Sequence, residues 1–148
     1  MTPPRRSLRV LLADDERDTT RTLAVLLEDE GHVVHQVNHG ADVVRTVHMV
    51  RPDAIVLDIQ MPGKSGYALA EELKAMYYGT RAPLLVAMSG KWTQDSDRIL
   101  AARLGFDHYL KKPANPQELV DLLNPLSAQP SPQHPQPDAA SAQSNAGG

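Results

Sequence analysis

The sequence has no cysteine, and aromatic residues make up only 4% of its 148 residues. A chain without cysteine forms no disulfide bonds and offers no thiolate ligands to a metal, which agrees with a reducing compartment. No segment approaches the roughly 20 apolar residues that a membrane span needs. Residues 1–8 carry two arginines but no apolar stretch long enough for a signal peptide. We therefore expect a soluble, cytoplasmic protein that makes no membrane contact.

An excess of positive charge is also lacking, since the net charge is −3 and the pI is about 6.0. Direct binding to nucleic acid is therefore not expected. The length suits one domain with a substantial core. From residue 126 onward the chain consists almost entirely of Ala, Gln, Ser, Pro, Asn and Gly, which cannot bury enough apolar surface to offset chain entropy. We expect an N-terminal arm at 1–7, a domain at 8–125 and a disordered tail at 126–148.

Five short apolar segments alternate with five helical patterns inside this domain. The strands are predicted near 8–13, 32–37, 54–57, 83–88 and 107–110, and the helices near 18–30, 41–51, 66–78, 95–104 and 115–125. The fourth helix carries Ile99, Leu100 and Leu104, and Pro125 is predicted to end the fifth. Such alternation indicates a parallel sheet with helices on both faces. Right-handed crossovers favour a doubly wound, flavodoxin-like α/β fold of (βα)5 type with strand order 2-1-3-4-5.

The middle strand ends at a carboxylate. Residues 54–57 are apolar without polar alternation, as in a strand buried on both faces, and Asp58 follows them directly. An ionised carboxylate beside a buried strand is costly unless a cation or hydrogen-bond donors meet it. Asp14 and Asp15 end the first strand, which neighbours the third in this topology. The three carboxylates are therefore predicted to converge at the crevice where such sheets bind ligands.

Two further polar residues end strands on the same rim, Ser89 after the fourth and Lys112 after the fifth. Clustered carboxylates repel one another, and a hard divalent cation such as Mg²⁺, or Mn²⁺ in its place, relieves that repulsion. A cation, an ammonium and a hydroxyl together form a cradle for a tetrahedral dianion such as a phosphoryl group. Asp58, at the centre, is then the predicted nucleophile, and an aspartyl phosphate would result.

With these motifs in place, the chain resembles the response-regulator receiver family of two-component signalling over about residues 8–124. The motifs are Asp14-Asp15, Asp58-x-x-Met61-Pro62, Ser89 and Tyr109-x-x-Lys112-Pro113. The resemblance implies that Asp58 accepts phosphate from a sensor histidine kinase or a histidine phosphotransfer domain. It also implies that Asp15 is a direct metal ligand, that Asp14 acts through water, and that Asp58 and the main-chain carbonyl of Gln60 complete the magnesium site.

The resemblance further implies a conformational switch and a domain organisation. Ser89 would move toward the phosphoryl oxygens and Tyr109 would turn inward, which changes the surface formed by helix 4, strand 5 and helix 5. The stretch from Ser89 to Leu110 also looks like the receivers attached to hybrid histidine kinases. A stand-alone receiver without an output domain fits best, acting in a phosphorelay on an unknown downstream protein. It would be no enzyme beyond catalysing its own phosphorylation and dephosphorylation.

Three other interpretations of the sequence are weaker. A phosphatase of the haloacid-dehalogenase type also uses an aspartyl nucleophile, but it places a second acid two residues later, where this chain has Gln60. A scaffold that is never phosphorylated would lack one of the central residues, and none is missing. A P-loop reading of Gly63-Lys64-Ser65 fails because the required glycine position is occupied by Asp58.

The remaining polar and aromatic residues carry less information. The histidines show no ligand spacing and are predicted to lie at the surface; they are His32, His35, His39, His48, His108 and His134. Two roles are open for Trp92, an exposed partner contact and a cover over the site, and the second is favoured. Lys64 is predicted to be a loop charge, and Lys111 is predicted to point to solvent.

Lys91 follows Ser89 by two residues and is near enough in sequence to the acceptor pocket to affect access of hydrolytic water. We predict that Lys91→Ala changes the lifetime of the phosphate on Asp58, measured by intact mass after the phosphodonor is removed. Lys111→Ala is the control and should leave the lifetime unchanged. An unchanged lifetime in Lys91→Ala contradicts the prediction.

Overall fold

The computed structural model describes residues 6–61, 64–77, 82–90 and 95–128, and within them it forms five strands and five α-helices. The strands are β1 (Arg9–Ala13), β2 (Val33–Val37), β3 (Ala54–Asp58), β4 (Leu84–Ser89) and β5 (His108–Lys111). The helices are α1 (Arg17–Asp29), α2 (Val43–Val50), α3 (Gly66–Met76), α4 (Asp95–Arg103) and α5 (Pro116–Ser127), and a 3₁₀ turn at Gly40–Asp42 precedes α2. Lys91, Trp92 and His134 lie outside the described residues. The tail is predicted at 126–148, and its residues from 129 onward also lie outside them.

All strand pairs of the sheet are parallel, in the order β2-β1-β3-β4-β5. The predicted doubly wound α/β fold is therefore confirmed. β1 and β3 are neighbours in register, with Ala13 opposite Leu57, and β4 and β5 pair Ser89 with Lys111. Because the strands are parallel, every carboxyl end lies along one edge of the sheet.

Two apolar layers cover the sheet because alternate residues of each strand point to opposite faces. Every residue of β3 is buried, with Ile55 and Leu57 in one layer and Val56 in the other. Helices α2, α3 and α4 cover the first layer with Val43, Val47, Leu69, Leu73 and Ala101. Helices α1 and α5 cover the second layer with Leu23, Leu27, Leu119 and Leu123. Full burial of each aliphatic side chain contributes about 1.5–3 kcal/mol to folding.

The structure departs from the predicted pattern in α4. Ile99 is 58% exposed and Leu100 is 44% exposed, while the small side chain of Ala101 is buried against the core. Two of the three residues that suggested this helix therefore face solvent. A helix can pack through a small residue, because close approach of its backbone replaces the contacts of a larger side chain. None of the helices in the described parts of the chain is long and apolar enough to cross a membrane.

The predicted end of the last helix at Pro125 is wrong, because α5 continues through that proline to Ser127. Proline in a helix interior lacks the N–H of the helical hydrogen bond and costs about 3 kcal/mol. Here tertiary contacts hold the last turn. The N–H of Arg6 donates to the carbonyl of Ser127 at 2.9 Å, and the Ser127 hydroxyl donates to the carbonyl of Arg6 at 2.6 Å. Residues near the two ends of the described chain are thus tied together.

The prediction that all the histidines lie at the surface is wrong for His32, which is 7% exposed. The backbone N–H of Leu8 donates to Nδ1 of His32 at 3.1 Å. Nearby, the buried carboxylate of Asp53 accepts the N–H of Arg9 at 2.8 Å and contacts Nη1 of Arg6 at 3.2 Å. This polar network lies at the amino-terminal edge of the sheet, opposite the cluster of acids. Sequence reasoning missed it because its members are far apart in the chain.

Burial lowers the pKa of His32 from its ordinary 6.5, and the carboxylates of Glu30 and Asp53 act in the opposite direction with smaller effect. The folded protein therefore binds this proton less readily than the unfolded chain does. The resulting contribution to stability is complete above pH 6.5 and is lost as the pH falls from there through the lowered pKa. We predict that His32→Asn, which keeps an acceptor near Leu8, makes the free energy of unfolding less sensitive to pH between 7.5 and 5.5.

The measurement is urea unfolding at both pH values. His48→Asn is the control, because His48 is exposed on α2 and its replacement should keep the wild-type pH dependence. Equal pH dependence in the wild type and in His32→Asn would rule out the burial effect.

Candidate functional site

The carboxyl edge of the sheet brings the predicted acids together. Asp14 follows β1 and is fully buried, and Asp58 ends β3 and is 3% exposed. Asp15 is exposed, yet one oxygen from each of the three carboxylates lies within 4.8 Å of the other two. The predicted convergence of Asp14, Asp15 and Asp58 is therefore present in the structure.

Lys112 reaches into this cluster from the residue after β5. Its Nζ lies 2.7 Å from Oδ2 of Asp14, 3.1 Å from Oδ2 of Asp58 and 3.5 Å from Oε1 of Glu16. The backbone N–H of Lys112 donates to the carbonyl of Ser89 at 3.0 Å. Pairing between β4 and β5 thus fixes the base of the lysine side chain beside Ser89, and its ammonium meets three carboxylates.

Backbone N–H groups orient the two buried carboxylates. Oδ1 of Asp14 accepts the N–H of Glu16 at 2.9 Å, and Oδ1 of Asp58 accepts the N–H of Gln60 at 3.0 Å. Both are Asx turns, in which an aspartate bonds the backbone two residues further on. Asn38, after β2, supports β1 from the other side by donating to the carbonyl of Asp14 at 2.8 Å.

The electrostatics of the site are unbalanced toward negative charge. Burial raises the pKa of Asp14 to about 6, and the Asp58 carboxylate adds to this, although Lys112 and the N–H of Glu16 oppose it. For Lys112, burial lowers the pKa, but hydrogen bonds and charge from Asp14 and Asp58 outweigh it and raise the pKa above its ordinary value. The lysine therefore stays protonated. One ammonium among several carboxylates leaves the cluster favourable for an additional cation.

The three aspartates fit a hard divalent cation. Oδ2 of Asp14 is buried and accepts no well-directed hydrogen bond from the described residues, although Lys112 lies 2.7 Å away as an ion pair. A buried carboxylate oxygen without a directed donor retains a lone pair for a metal. Oxygen-only ligands, some of them reachable from solvent, suit Mg²⁺ more than Zn²⁺ or copper.

Ser89 and Tyr109 occupy neighbouring strands on the same side of the sheet. Ser89 ends β4 and is fully buried, while Tyr109 of β5 is half-buried and pairs in register with Ala87. The guanidinium of Arg98, on α4, lies 5.6 Å from the centre of the Tyr109 ring. The structure therefore places Tyr109 between the strand that carries Ser89 and the helix α4.

Sequence reasoning missed two residues that shape the site, Glu16 and Gly66. A Cβ on Gly66 would lie 2.6 Å from Cα of Ile59, so the backbone approach between α3 and the residue after Asp58 requires glycine. The N–H of Gly66 also donates to the carbonyl of Ile59 at 2.9 Å. A glycine at the first position of a helix, eight residues after the predicted nucleophile, was the available signal.

A parallel sheet of this order, with ligand-type residues at its switch point, defines the flavodoxin-like class of doubly wound α/β proteins. Comparison with known families identifies the member of that class: residues 10–124 match the response regulator receiver domain, and the chain belongs to this family. It is therefore a receiver domain of the two-component response regulators, a family whose members work with histidine kinases or phosphotransfer proteins.

Relatives agree with this assignment. Protein PilH of Pseudomonas aeruginosa is 28% identical over 120 residues, which cover 81% of this chain and 98% of PilH. The transcriptional regulatory protein TcrA of Mycobacterium tuberculosis is 36% identical over 120 residues, covering 81% of this chain and 46% of TcrA. The receiver domain of the Francisella response regulator 1452 superposes with a TM-score of 0.74 at 25% identity, covering 82% of this chain and 97% of that one.

The close packing of Gly66 generates a prediction about the segment that follows Asp58. Gly66→Ala should lower the free energy of unfolding by about 1–3 kcal/mol, because the added methyl group overpacks against the Ile59 backbone. It should also slow the phosphorylation that the sequence predicts for Asp58, since Ile59 is the next residue. Urea unfolding and intact-mass analysis with acetyl phosphate measure the two effects.

Gly90→Ala is the matched control, because among the described residues a Cβ there meets only Cβ of Lys112, at an ordinary 3.7 Å. We expect its stability to stay within roughly 0.5 kcal/mol of wild type. If Gly66→Ala is as stable as Gly90→Ala, the close approach at Ile59 does not constrain this segment.

Proposed function

We propose that this chain is a phosphoacceptor in which Asp58 receives a phosphoryl group from a phosphohistidine of a sensor histidine kinase or a histidine phosphotransfer domain. The observation that carries the proposal is the contact of Lys112 with Asp58 inside a cluster of three aspartates. A buried carboxylate held by an ammonium, with two further acids beside it, suits a nucleophile that must accept a dianion. The proposal also places the protein in the cytoplasm, where such phosphodonors occur.

Asp58 performs the transfer through one carboxylate oxygen. That oxygen attacks the phosphorus atom, a new P–O bond forms, and the P–N bond to the donor imidazole breaks with its electron pair on nitrogen. Lys112 balances the charge that develops on the phosphoryl oxygens, and the Ser89 hydroxyl donates a hydrogen bond to one of them. Water later attacks the same phosphorus atom, the P–O bond to Asp58 breaks with its electron pair on the carboxylate oxygen, and inorganic phosphate leaves. The chain is thus no enzyme toward other molecules.

A divalent cation is part of this proposal. Mg²⁺, or Mn²⁺ in its place, would be held by Asp14, Asp15, Asp58 and the main-chain carbonyl of Gln60, with Asp14 acting through water. When bound, the cation offsets the repulsion between these acids and the incoming phosphoryl group. The raised pKa of Asp14 supports a need for added positive charge at this place.

The surface that signals to a downstream protein is proposed to be formed by α4, β5 and α5. Movement of Ser89 toward the phosphoryl group would open space that Tyr109 fills, and the contact between Tyr109 and Arg98 would then change. Ile99 and Leu100 follow Arg98 in sequence and are exposed, so this surface offers apolar contacts to a downstream protein. The partner itself is a protein that distinguishes the two states of this surface.

The test is incubation with Mg²⁺ and acetyl phosphate followed by intact-mass analysis. We expect one labile phosphoryl group in the wild type and none in Asp58→Asn, and a chelator should reduce the labelling strongly. Asp121→Asn, an exposed position on α5, is the control and should be labelled like the wild type.

Three results would contradict the proposal. Labelling that persists in Asp58→Asn would show that another residue is the acceptor. Sustained turnover of a generic phosphomonoester would favour the aspartyl phosphatase, whereas a chain that takes up no label with Mg²⁺ present would favour the scaffold.

A further inference from the structure

The ammonium of Lys112 is shared among several acids in the described site. A lysine ammonium carries three N–H groups and no acceptor. Three carboxylates surround it, those of Asp14 at 2.7 Å, Asp58 at 3.1 Å and Glu16 at 3.5 Å. A phosphoryl oxygen on Asp58 therefore competes with these carboxylates for the Lys112 ammonium, whose one well-directed hydrogen bond among them goes to Asp58.

Glu16 differs from the other two carboxylates in exposure. The side chains of Asp14 and Asp58 are 0% and 4% exposed, whereas that of Glu16 is 67% exposed. Separating a buried carboxylate from its ammonium leaves an unpaired charge in a low-dielectric site, which is strongly unfavourable. An exposed carboxylate recovers its hydration when it leaves, so its release costs little.

The local backbone gives no competing role to the Glu16 side chain. Glu16 is the N-cap residue of α1, but its side chain makes no capping hydrogen bond. Its backbone N–H donates a hydrogen bond to Oδ1 of Asp14 at 2.9 Å. Short polar side chains usually cap helices by accepting from the first turn. The Glu16 carboxylate instead lies beside Lys112, at the rim of a cavity of about 530 Å³ that Asp18, Gly90 and Pro113 also line.

We infer that Glu16 is a positioning residue whose carboxylate pairs with the Lys112 ammonium in the unphosphorylated protein and yields it to the phosphoryl group on Asp58. The inference rests on the proposed function, because it assigns a role within that site. It adds no covalent step. With acetyl phosphate as donor, an oxygen of Asp58 forms the new P–O bond and acetate leaves with the electrons of the old one. Glu16 thus competes with the phosphoryl group for Lys112, and its removal should favour the phosphorylated state.

The experiment compares Glu16→Gln with Asp18→Asn in the full chain at saturating Mg²⁺. Asp18 is the matched control, because it lies in the first turn of α1, lines the same cavity and loses the same charge. The dissociation constant for beryllofluoride, which mimics a phosphoryl group on aspartate, is measured by calorimetry. We expect Glu16→Gln to bind about two- to fivefold more tightly than wild type, the range that ion pairs with an exposed partner produce. Asp18→Asn should stay close to wild type.

A second comparison tests whether the effect passes through Lys112. In a Lys112→Met background, Glu16→Gln should change beryllofluoride binding no more than Asp18→Asn does. The lifetime of the aspartyl phosphate after removal of acetyl phosphate should lengthen in Glu16→Gln and not in Asp18→Asn. Thermal unfolding of each variant verifies that it is folded.

Several outcomes overturn the inference without touching the proposed function. These are unchanged or weaker beryllofluoride binding in Glu16→Gln, an equal gain in Asp18→Asn, or a gain that persists without Lys112, provided that the wild type is labelled on Asp58. If the wild type neither takes up phosphate on Asp58 nor binds beryllofluoride, the proposed function itself fails.

Discussion

The contact between the Lys112 ammonium and the buried carboxylates of Asp14 and Asp58 is the interaction on which the carboxyl edge of this sheet depends. Each of these charges would cost several kcal/mol to bury alone. Together they hold one another in place, but the balance is incomplete because more than one acid meets a single lysine. Burial is the main cause of the raised pKa of Asp14, and the neighbouring Asp58 carboxylate adds to it. A site in this condition accepts further positive charge readily, which is the property a phosphoacceptor needs before a dianion can approach.

The parallel sheet makes this arrangement possible. β1, β3 and β5 end at the same edge, so residues 14, 58 and 112 meet although 44 or more positions separate each from the next. β1 and β3 are packed on both faces, and they hold the side chains that follow them with little freedom. Asx turns at Asp14 and Asp58 add a second constraint, because each carboxylate is bound to backbone two residues ahead.

The opposite edge of the sheet has its own polar network. The buried carboxylate of Asp53 forms ion pairs with the partly exposed side chains of Arg6 and Arg9 and accepts the backbone N–H of Arg9. His32 accepts a backbone N–H beside them. Arg6 is also bonded to Ser127 through both backbone and hydroxyl groups, so the segment before β1 and the last turn of α5 are one unit. This network stabilises the fold at a distance from the acids, and changes there can be separated experimentally from changes in the site.

The local pattern of the sequence was sufficient for the order of elements, for the strand order and for the identity of the central acids. An apolar run that stops at Asp58 already predicts a buried strand with a carboxylate at its end, because periodicity and turn residues act over a few positions. Only the tertiary structure decided three contacts between residues distant in the chain. These are the ion pair of Glu16 with Lys112 and the hydrogen bonds of His32 with Leu8 and of Ser127 with Arg6. The exposure of Ile99 and the passage of α5 through Pro125 belong to the same group. Such contacts depend on how elements distant in the chain pack together, and packing energy can override the local preference of a histidine, an isoleucine or a proline.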